Sequence, residues 1–397
     1  MELTIQNGAL LLLIAVVVAI LTQRANLPYS VGLVAAGVAL AFLRFSNTIV
    51  LTKDLLFTVL LPPLIFQAAF YLEWRRLRRD LGVIVVLATL GVLLSAAITT
   101  VGMHFLASWQ WMSAIVFGVL IAATDPVSVI AIFQEAGARG RLVLLVEAES
   151  LFNDGTAAVF FALVLELIKG HSPSPAGTVL QLLLTTGGSL LCGAALAGLA
   201  LLLAGNTQDH LIEIALTTVA AYGSFLLAEQ LHMSGVLATL CAGLTLGNIG
   251  SRGGSLGQIS DRGKAGVQDF WEYAAFVANS LIFLLIGMHV AMQDFRAVWL
   301  TALIAILLVT LGRAAAVYPC CALFLRSRQR VAAKQQHILF WGGLRGALAL
   351  ALALALPEDL ARRETIITIS FAVVAFSIFV QGLTMKPLLR ASGELSR

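Results

Sequence analysis

Apolar residues in this chain arrive in blocks, with neither the 3.6-residue period of a surface helix nor the alternation of a half-buried strand. Run after run of Leu, Val, Ile, Ala, Gly and Phe is broken only by short polar turns such as Glu73–Arg79 and Arg326–Lys334. A helix needs about 20 apolar residues to cross a bilayer. By that measure about thirteen runs qualify, centred near Ala15, Ala35, Leu64, Leu93, Val119, Val159, Cys192, Ala220, Leu240, Leu281, Leu307, Leu348 and Phe376. The eighth and ninth, either side of Glu229 to Met233, join so tightly that twelve or fourteen crossings also fit the pattern. The pattern predicts an all-α polytopic membrane protein. Residues 1–390 form a single transmembrane domain, and 391–397 form a short cytoplasmic tail. The first run has no basic residue ahead of it and is long enough to span, so it reads as a span and not as a cleaved leader.

Composition agrees: 59% of the residues are hydrophobic and 12% charged, against about 25% charged in a soluble domain. The charges that remain orient the chain. With the N-terminus outside, the cytoplasmic loops carry Arg24, Arg75, Arg76, Arg78, Arg79, Arg139, Arg141, Arg252, Arg262, Lys264, Arg326, Arg328, Arg330, Lys334, Lys386, Arg390 and Arg397. Only Arg44, Lys53, Lys169, Arg296, Arg362 and Arg363 fall outside. The positive-inside rule therefore favours N-out and C-in, in a bacterial or archaeal inner membrane. Because the net charge of +4 is spread over short loops, it points to the lipid bilayer as partner and not to nucleic acid. Cys192, Cys241, Cys320 and Cys321 all lie in apolar runs, which indicates neither a disulfide framework nor a metal site. No cofactor is expected.

Against this background a few polar residues stand out. Val119–Phe133 reads VLIAATDPVSVIAIF and Val146–Phe160 reads VEAESLFNDGTAAVF. A carboxylate at the bilayer centre costs roughly 2.5–3.5 kcal/mol even on the lenient insertion scale, so such groups face a cavity or a partner. Pro126 directly follows Asp125, lacks an N–H and biases Asp125 away from helical geometry. A helix broken there frees backbone carbonyls at membrane depth, an arrangement transporters use to bind ions. In the next run Ser150 and Asp154 are spaced i,i+4, as are Glu149 and Asn153, so each pair shares a face. Together these are hard oxygen donors suited to a small cation. Glu147, Ser150 and Asp154 also fall at i, i+3, i+7 and could line one funnel, although Glu147 reads first as an interfacial acid.

Two arginines, Arg313 and Arg345, fall inside apolar runs. Glu149 is the natural partner for one of them, as a buried structural ion pair. Gly342, Gly343 and Gly346 around Arg345 predict a second interrupted helix, the counterpart of the Asp125-Pro126 break, and paired breaks mark an inverted-repeat transporter. Asp269 and Glu272 read as first-turn acids of the tenth span, held there by the helix dipole. Glu166 and Lys169 read as a surface pair. His104, His171, His210, His232, His289 and His337 fall near span ends, where most are bland and one could sense proton load.

The motifs LLPPLIFQAAF (60–70), AATDPVSVIAIF, VEAESLFNDGTAAVF and WGGLRGALAL, in this order, resemble the sodium/proton exchanger family and its prokaryotic NhaP-like branch. The resemblance covers the whole membrane domain and implies a homodimer in which a six-helix core moves against dimer-forming scaffold helices. It implies that Asp154 exchanges cation for proton, with Asp125 its companion. Asn153 and Ser150 lie at or beside the ion, and Thr124 offers its backbone carbonyl, so Na+ would be held through Asp154, Asp125, Ser150 and Thr124. Glu149 resembles the family's core glutamate, with Arg313 its first-choice partner and Arg345 its second. Where relatives often carry an acid after the Pro-Pro pair this chain has Gln67, which can coordinate but cannot titrate. The long tail of animal exchangers is not expected beyond the last span. With Asn153 neutral, one-for-one electroneutral exchange of Na+ (or Li+) for H+ is expected. Potassium/proton exchange is the nearer alternative. An intramembrane aspartyl protease is the distant one, since it gives no reason for Pro126, Asn153 or the two arginines.

Overall fold

The computed structural model describes residues 5–25, 27–43, 51–125, 129–130, 132–133, 137–138, 140–168, 175–250 and 259–394. Pro126, Arg44, Arg139, Lys169, His171, Arg252 and Arg397 lie outside the described residues. Every regular element among those described is helical: α1 (Ile5–Ala25), α2 (Tyr29–Phe42), α3 (Leu55–Tyr71), α4 (Trp74–Ala107), α5 (Trp111–Leu120), α6 (Arg141–Ile168) and α7 (Pro175–Ala204) in the first part of the chain. There follow α8 (His210–Gln230), α9 (Gly235–Ile249), α10 (Asp261–Met292), α11 (Trp299–Ala322), α12 (Ala333–Trp341), α13 (Ala347–Leu354) and α14 (Arg363–Ser392). Among the described residues, eight helices are long and apolar enough to cross a membrane, and α2, α3, α5 and α9 are shorter apolar helices. Leucines such as Leu183 and Leu191 on α7 and Leu303 and Leu307 on α11 are exposed, which suits a hydrocarbon solvent.

The chain divides into two compact units. The first comprises Met1–Leu56, Asp80–Ala157 and Asn279–Arg397; the second comprises Phe57–Arg79 and Ala158–Ala278. Within the first, helices approach at backbone range where side chains are smallest. A Cβ on Gly37 would strike the Leu284 carbonyl and the Gly287 backbone, and one on Gly312 would meet the Ser95 carbonyl at 2.9 Å. The Gly and Ala content of the second and eleventh runs thus serves close packing. Within the second, Phe66 packs on Trp271 at 4.4 Å between ring centroids, and Trp271 Nε1 donates to Thr217 Oγ1 at 3.0 Å.

The tight turn between the eighth and ninth runs separates two helices. His232 takes a left-handed conformation at φ 57°. The Glu229 carboxylate accepts from Gly235 N at 3.0 Å, and Ser234 Oγ accepts from Leu237 N at 3.3 Å, so both residues cap the start of α9. Asp269 and Glu272 are not first-turn acids: α10 begins at Asp261, which holds that position, and Glu272 instead accepts from the Tyr71 hydroxyl at 2.7 Å. The polar stretch 261–268 extends the helix beyond its apolar run, so hydropathy alone set the boundary too late.

At its N-terminal end α6 is tied down by Arg141. The guanidinium grips Asp80 on α4 at 2.7 Å and donates to the carbonyls of Gln329 and Arg330 at 2.9 and 2.8 Å. That clamp fixes the helix carrying Glu149, Ser150, Asn153 and Asp154.

Candidate ion-binding site

The site is built in the first unit, where two non-helical stretches meet. Helix α5 ends at Leu120, a last turn closes with Ala122 N donating to the Val119 carbonyl at 3.2 Å, and residues 123–125 run on without helical hydrogen bonding. Helix α12 ends at Trp341, and Gly343–Gly346 separate it from α13. The two stretches are joined backbone to backbone: Asp125 N donates to the Leu344 carbonyl at 2.7 Å. The approach requires a glycine, since a Cβ on Gly346 would lie 2.5 Å from Asp125 Cβ and 2.7 Å from its carboxyl carbon. Both interrupted stretches expected from the sequence are therefore present, and the first starts several residues ahead of Asp125.

Helix α6 lays its polar face on this crossing. Thr124 Oγ1 donates to Ser150 Oγ at 3.2 Å and accepts from Asn153 Nδ2 at 3.1 Å. The Thr124 backbone hydrogen-bonds to Asp154, which also lies within the fields of Asp125, Glu149 and Arg345. Thr124, Asp125, Ser150, Asn153 and Asp154 are all at most 9% exposed. Two oxygens in this cluster, Asn153 Oδ1 and Asp154 Oδ1, are buried without a hydrogen-bond partner among the described residues. Native interiors rarely leave acceptors unmatched. Two bare oxygens on adjacent residues, one of them on a carboxyl group, suit a desolvated cation or a proton.

The two buried arginines divide the remaining acceptors. Arg313 on α11 forms a two-pronged pair with Glu149, Nη1 to Oε1 at 2.7 Å and Nη2 to Oε2 at 2.9 Å, and adds a bond to the Leu339 carbonyl at 2.9 Å. Arg345 donates from Nη1 to the carbonyls of Ala122 and Ala123 at 2.7 and 3.0 Å. Two of the carbonyls freed at the first break are thus held by a guanidinium. Sequence reasoning missed that contact, although an arginine four residues past the end of α12 needs acceptors from somewhere. Gly343 gives Arg313 room: a Cβ there would collide with its Nε. Glu147 is half-buried on α6, and Gln67 lies half-buried on α3 in the second unit.

The family model for the transmembrane sodium/hydrogen exchanger matches residues 11–391. The chain belongs to the sodium/hydrogen exchanger family. Among curated relatives it is 37% identical to the Na+/H+ antiporter ApNhaP of Aphanothece halophytica, over 93% of this chain and 70% of that one. It is 32% identical to the Na+/H+ antiporter NhaH of Halobacillus dabanensis, over 97% of both. Its fold matches solved structures of the sodium proton antiporter MjNhaP1 from Methanocaldococcus jannaschii at TM-scores of 0.75 and 0.79. Those matches are 20% identical and cover at least 96% of each chain. The all-α antiporter fold with interrupted helices is therefore the fold of this family member.

Proposed function

We propose that this chain is a secondary antiporter that exchanges one monovalent cation, Na+ first, for one proton at Asp154. The observation that carries the reading is the charge count of the buried cluster: three carboxyl groups (Asp125, Glu149, Asp154) against two guanidinium groups (Arg313, Arg345). With Glu149 satisfied by Arg313, the remainder is two aspartates against Arg345. Fully ionised, that remainder is one negative charge out of water, which is costly. One cation or one proton cancels it, and the two cannot both be needed. Competition for a single carboxyl is the chemistry of exchange.

In this reading Asp154 Oδ1 and Asn153 Oδ1 turn to the cation, Ser150 and the Thr124 carbonyl complete its shell, and Asp125 supplies standing charge. Glu149 and Arg313 hold α6 against α11 and do not touch the ion. Gln67 adds no titrating group. Alternating access moves the site between the two sides, and the family resemblance supports a homodimer in the plasma membrane with a cytoplasmic C-terminus. The antiporter names of the curated relatives support Na+ and H+ as the substrates.

The reading is tested in proteoliposomes carrying the wild type or Asp154→Asn, with Na+, Li+ and K+ supplied at several pH values. The wild type should acidify or alkalinise the lumen on addition of Na+. Asp154→Asn should insert and dimerise as the wild type does and move no protons. Cation-dependent proton flux through Asp154→Asn would remove the residue from this role, and a response to K+ alone would replace the substrate.

A further inference from the structure

Arg313 uses its Nη atoms on Glu149 and the Leu339 carbonyl and Arg345 its Nη1 on the Ala122 and Ala123 carbonyls, but each also carries an Nε–H that is buried and lacks a hydrogen-bond partner among the described residues. A buried donor left unmatched is destabilising, and more so on a charged group. Here the two side chains that carry the unmatched donors line the same space. Both arginines line a cavity of about 10 Å³, whose wall also includes Gly343, Thr310 on α11, and Ser377 and Gln381 on α14. Ser377 and Gln381 are 2% and 5% exposed. They open and close a π-type turn within α14, a local irregularity that occurs preferentially at functional positions. The Thr310 hydroxyl already donates to the Ile306 carbonyl at 2.8 Å, which leaves it only as an acceptor.

We propose that one water molecule is bound in this cavity and that through it Ser377 and Gln381 act as positioning residues for the ion site. A water offers two lone pairs and two hydrogens, so it accepts from the two Nε–H groups and donates to Ser377 Oγ and Gln381 Oε1. The space suits one molecule, which needs on the order of 10–15 Å³. An anion could also accept from the guanidinium groups, and from the Ser377 hydroxyl and the Gln381 amide N–H, so the bromide experiment below is what separates it from water. The consequence runs through Arg345, which holds the carbonyls of Ala122 and Ala123, the stretch that delivers Thr124 and Asp125. A guanidinium anchored on both edges keeps that stretch in place; one anchored on a single edge lets it shift. The inference rests on the reading of Asp125 and Asp154 as the exchange site.

Two experiments test it. An experimental map fine enough to show waters, from protein in sodium bromide, should hold one peak within hydrogen-bond distance of both Nε atoms and no anomalous bromide signal. A bromide peak or an empty cavity would overturn the water. Ser377→Thr and Ser377→Val are isosteric and differ only in the hydroxyl, so packing strain is common to both. Relative to Ser377→Thr, Ser377→Val should raise the Na+ concentration for half-maximal exchange about tenfold, the effect of one lost buried hydrogen bond, at similar thermal stability and maximal rate. Gln381→Met, which keeps the length and loses the polar head, should behave as Ser377→Val does. Equal half-saturation in the Ser377 pair, with Asp154→Asn inactive in the same assay, would sink this inference and leave the exchange site standing. An active Asp154→Asn would sink the site itself.

Discussion

Glu149 and Asp154 lie five positions apart on α6, both in apolar surroundings, and the structure gives them opposite fates. Glu149 has both oxygens matched by Arg313, at 2.7 and 2.9 Å; Asp154 keeps one oxygen bare. A buried ion pair adds little net stability, but removing one partner strands the other at a cost of about 3–5 kcal/mol. Glu149→Gln should therefore lower the yield and thermal midpoint of the detergent-solubilised protein while the surviving fraction binds Na+ with near wild-type affinity. A variant of normal stability that has lost cation affinity would place Glu149 in the ion shell instead. The acids were legible in the sequence because a charge inside an apolar run has few reasons to exist. The family resemblance put Arg313 ahead of Arg345 as the partner of Glu149, as the structure has it, but the residues by themselves left that choice open. Both sit in similar runs, and which guanidinium reaches α6 depends on how α11 packs, a contact 164 positions apart along the chain. Ser377 and Gln381 were invisible for another reason: small polar residues are common in packed spans and carry no charge to mark them.

At the scale of elements, the interrupted stretches set the site's tolerance. Gly342 to Gly346 were readable as a loosened helix, and glycine there is demanded by contact as well as by flexibility. Gly346→Ala adds one methyl group beside the Asp125 side chain and changes no charge. It should raise the Na+ concentration for half-maximal exchange by about tenfold or more, since roughly 1–3 kcal/mol of overpacking strain lands on the site. Gly343→Ala pushes on Arg313 instead and should act first on stability. Normal cation affinity in Gly346→Ala would show that the crossing relaxes without moving Asp125. The start of α10 illustrates what hydropathy misses. A helix that starts in polar sequence ahead of its apolar run, as Asp261 to Gln268 does, shows a change of hydropathy at the apolar boundary where the structure has none.

For the whole molecule the charge count makes a prediction about voltage. If Asp125 keeps its charge throughout and Asp154 alone swaps proton for cation, the loaded site carries the same net charge in both directions. The membrane potential then does no work on the cycle. One uncompensated charge would be worth about 2.3 kcal/mol per 100 mV, which is a shift of roughly fiftyfold in the cation gradient at equilibrium. In proteoliposomes clamped at different potentials with fixed gradients, the point of zero net flux should stay where the chemical gradients place it. Movement of that point with voltage would bring a second carboxyl into the cycle, and Asp125 is the candidate.

The most direct test of competition at Asp154 needs no transport at all. Purified protein in weakly buffered detergent solution is mixed with NaCl, and the protons released are read with a pH indicator against a choline chloride control. The wild type should release about one proton for each Na+ bound when mixed well below the pH of half-protonation and about half a proton at that pH, because cation and proton cannot share the carboxyl. Asp154→Asn should release none at any pH. Proton release of wild-type size from Asp154→Asn, or Na+ binding by the wild type with no release across the pH range, would contradict the account.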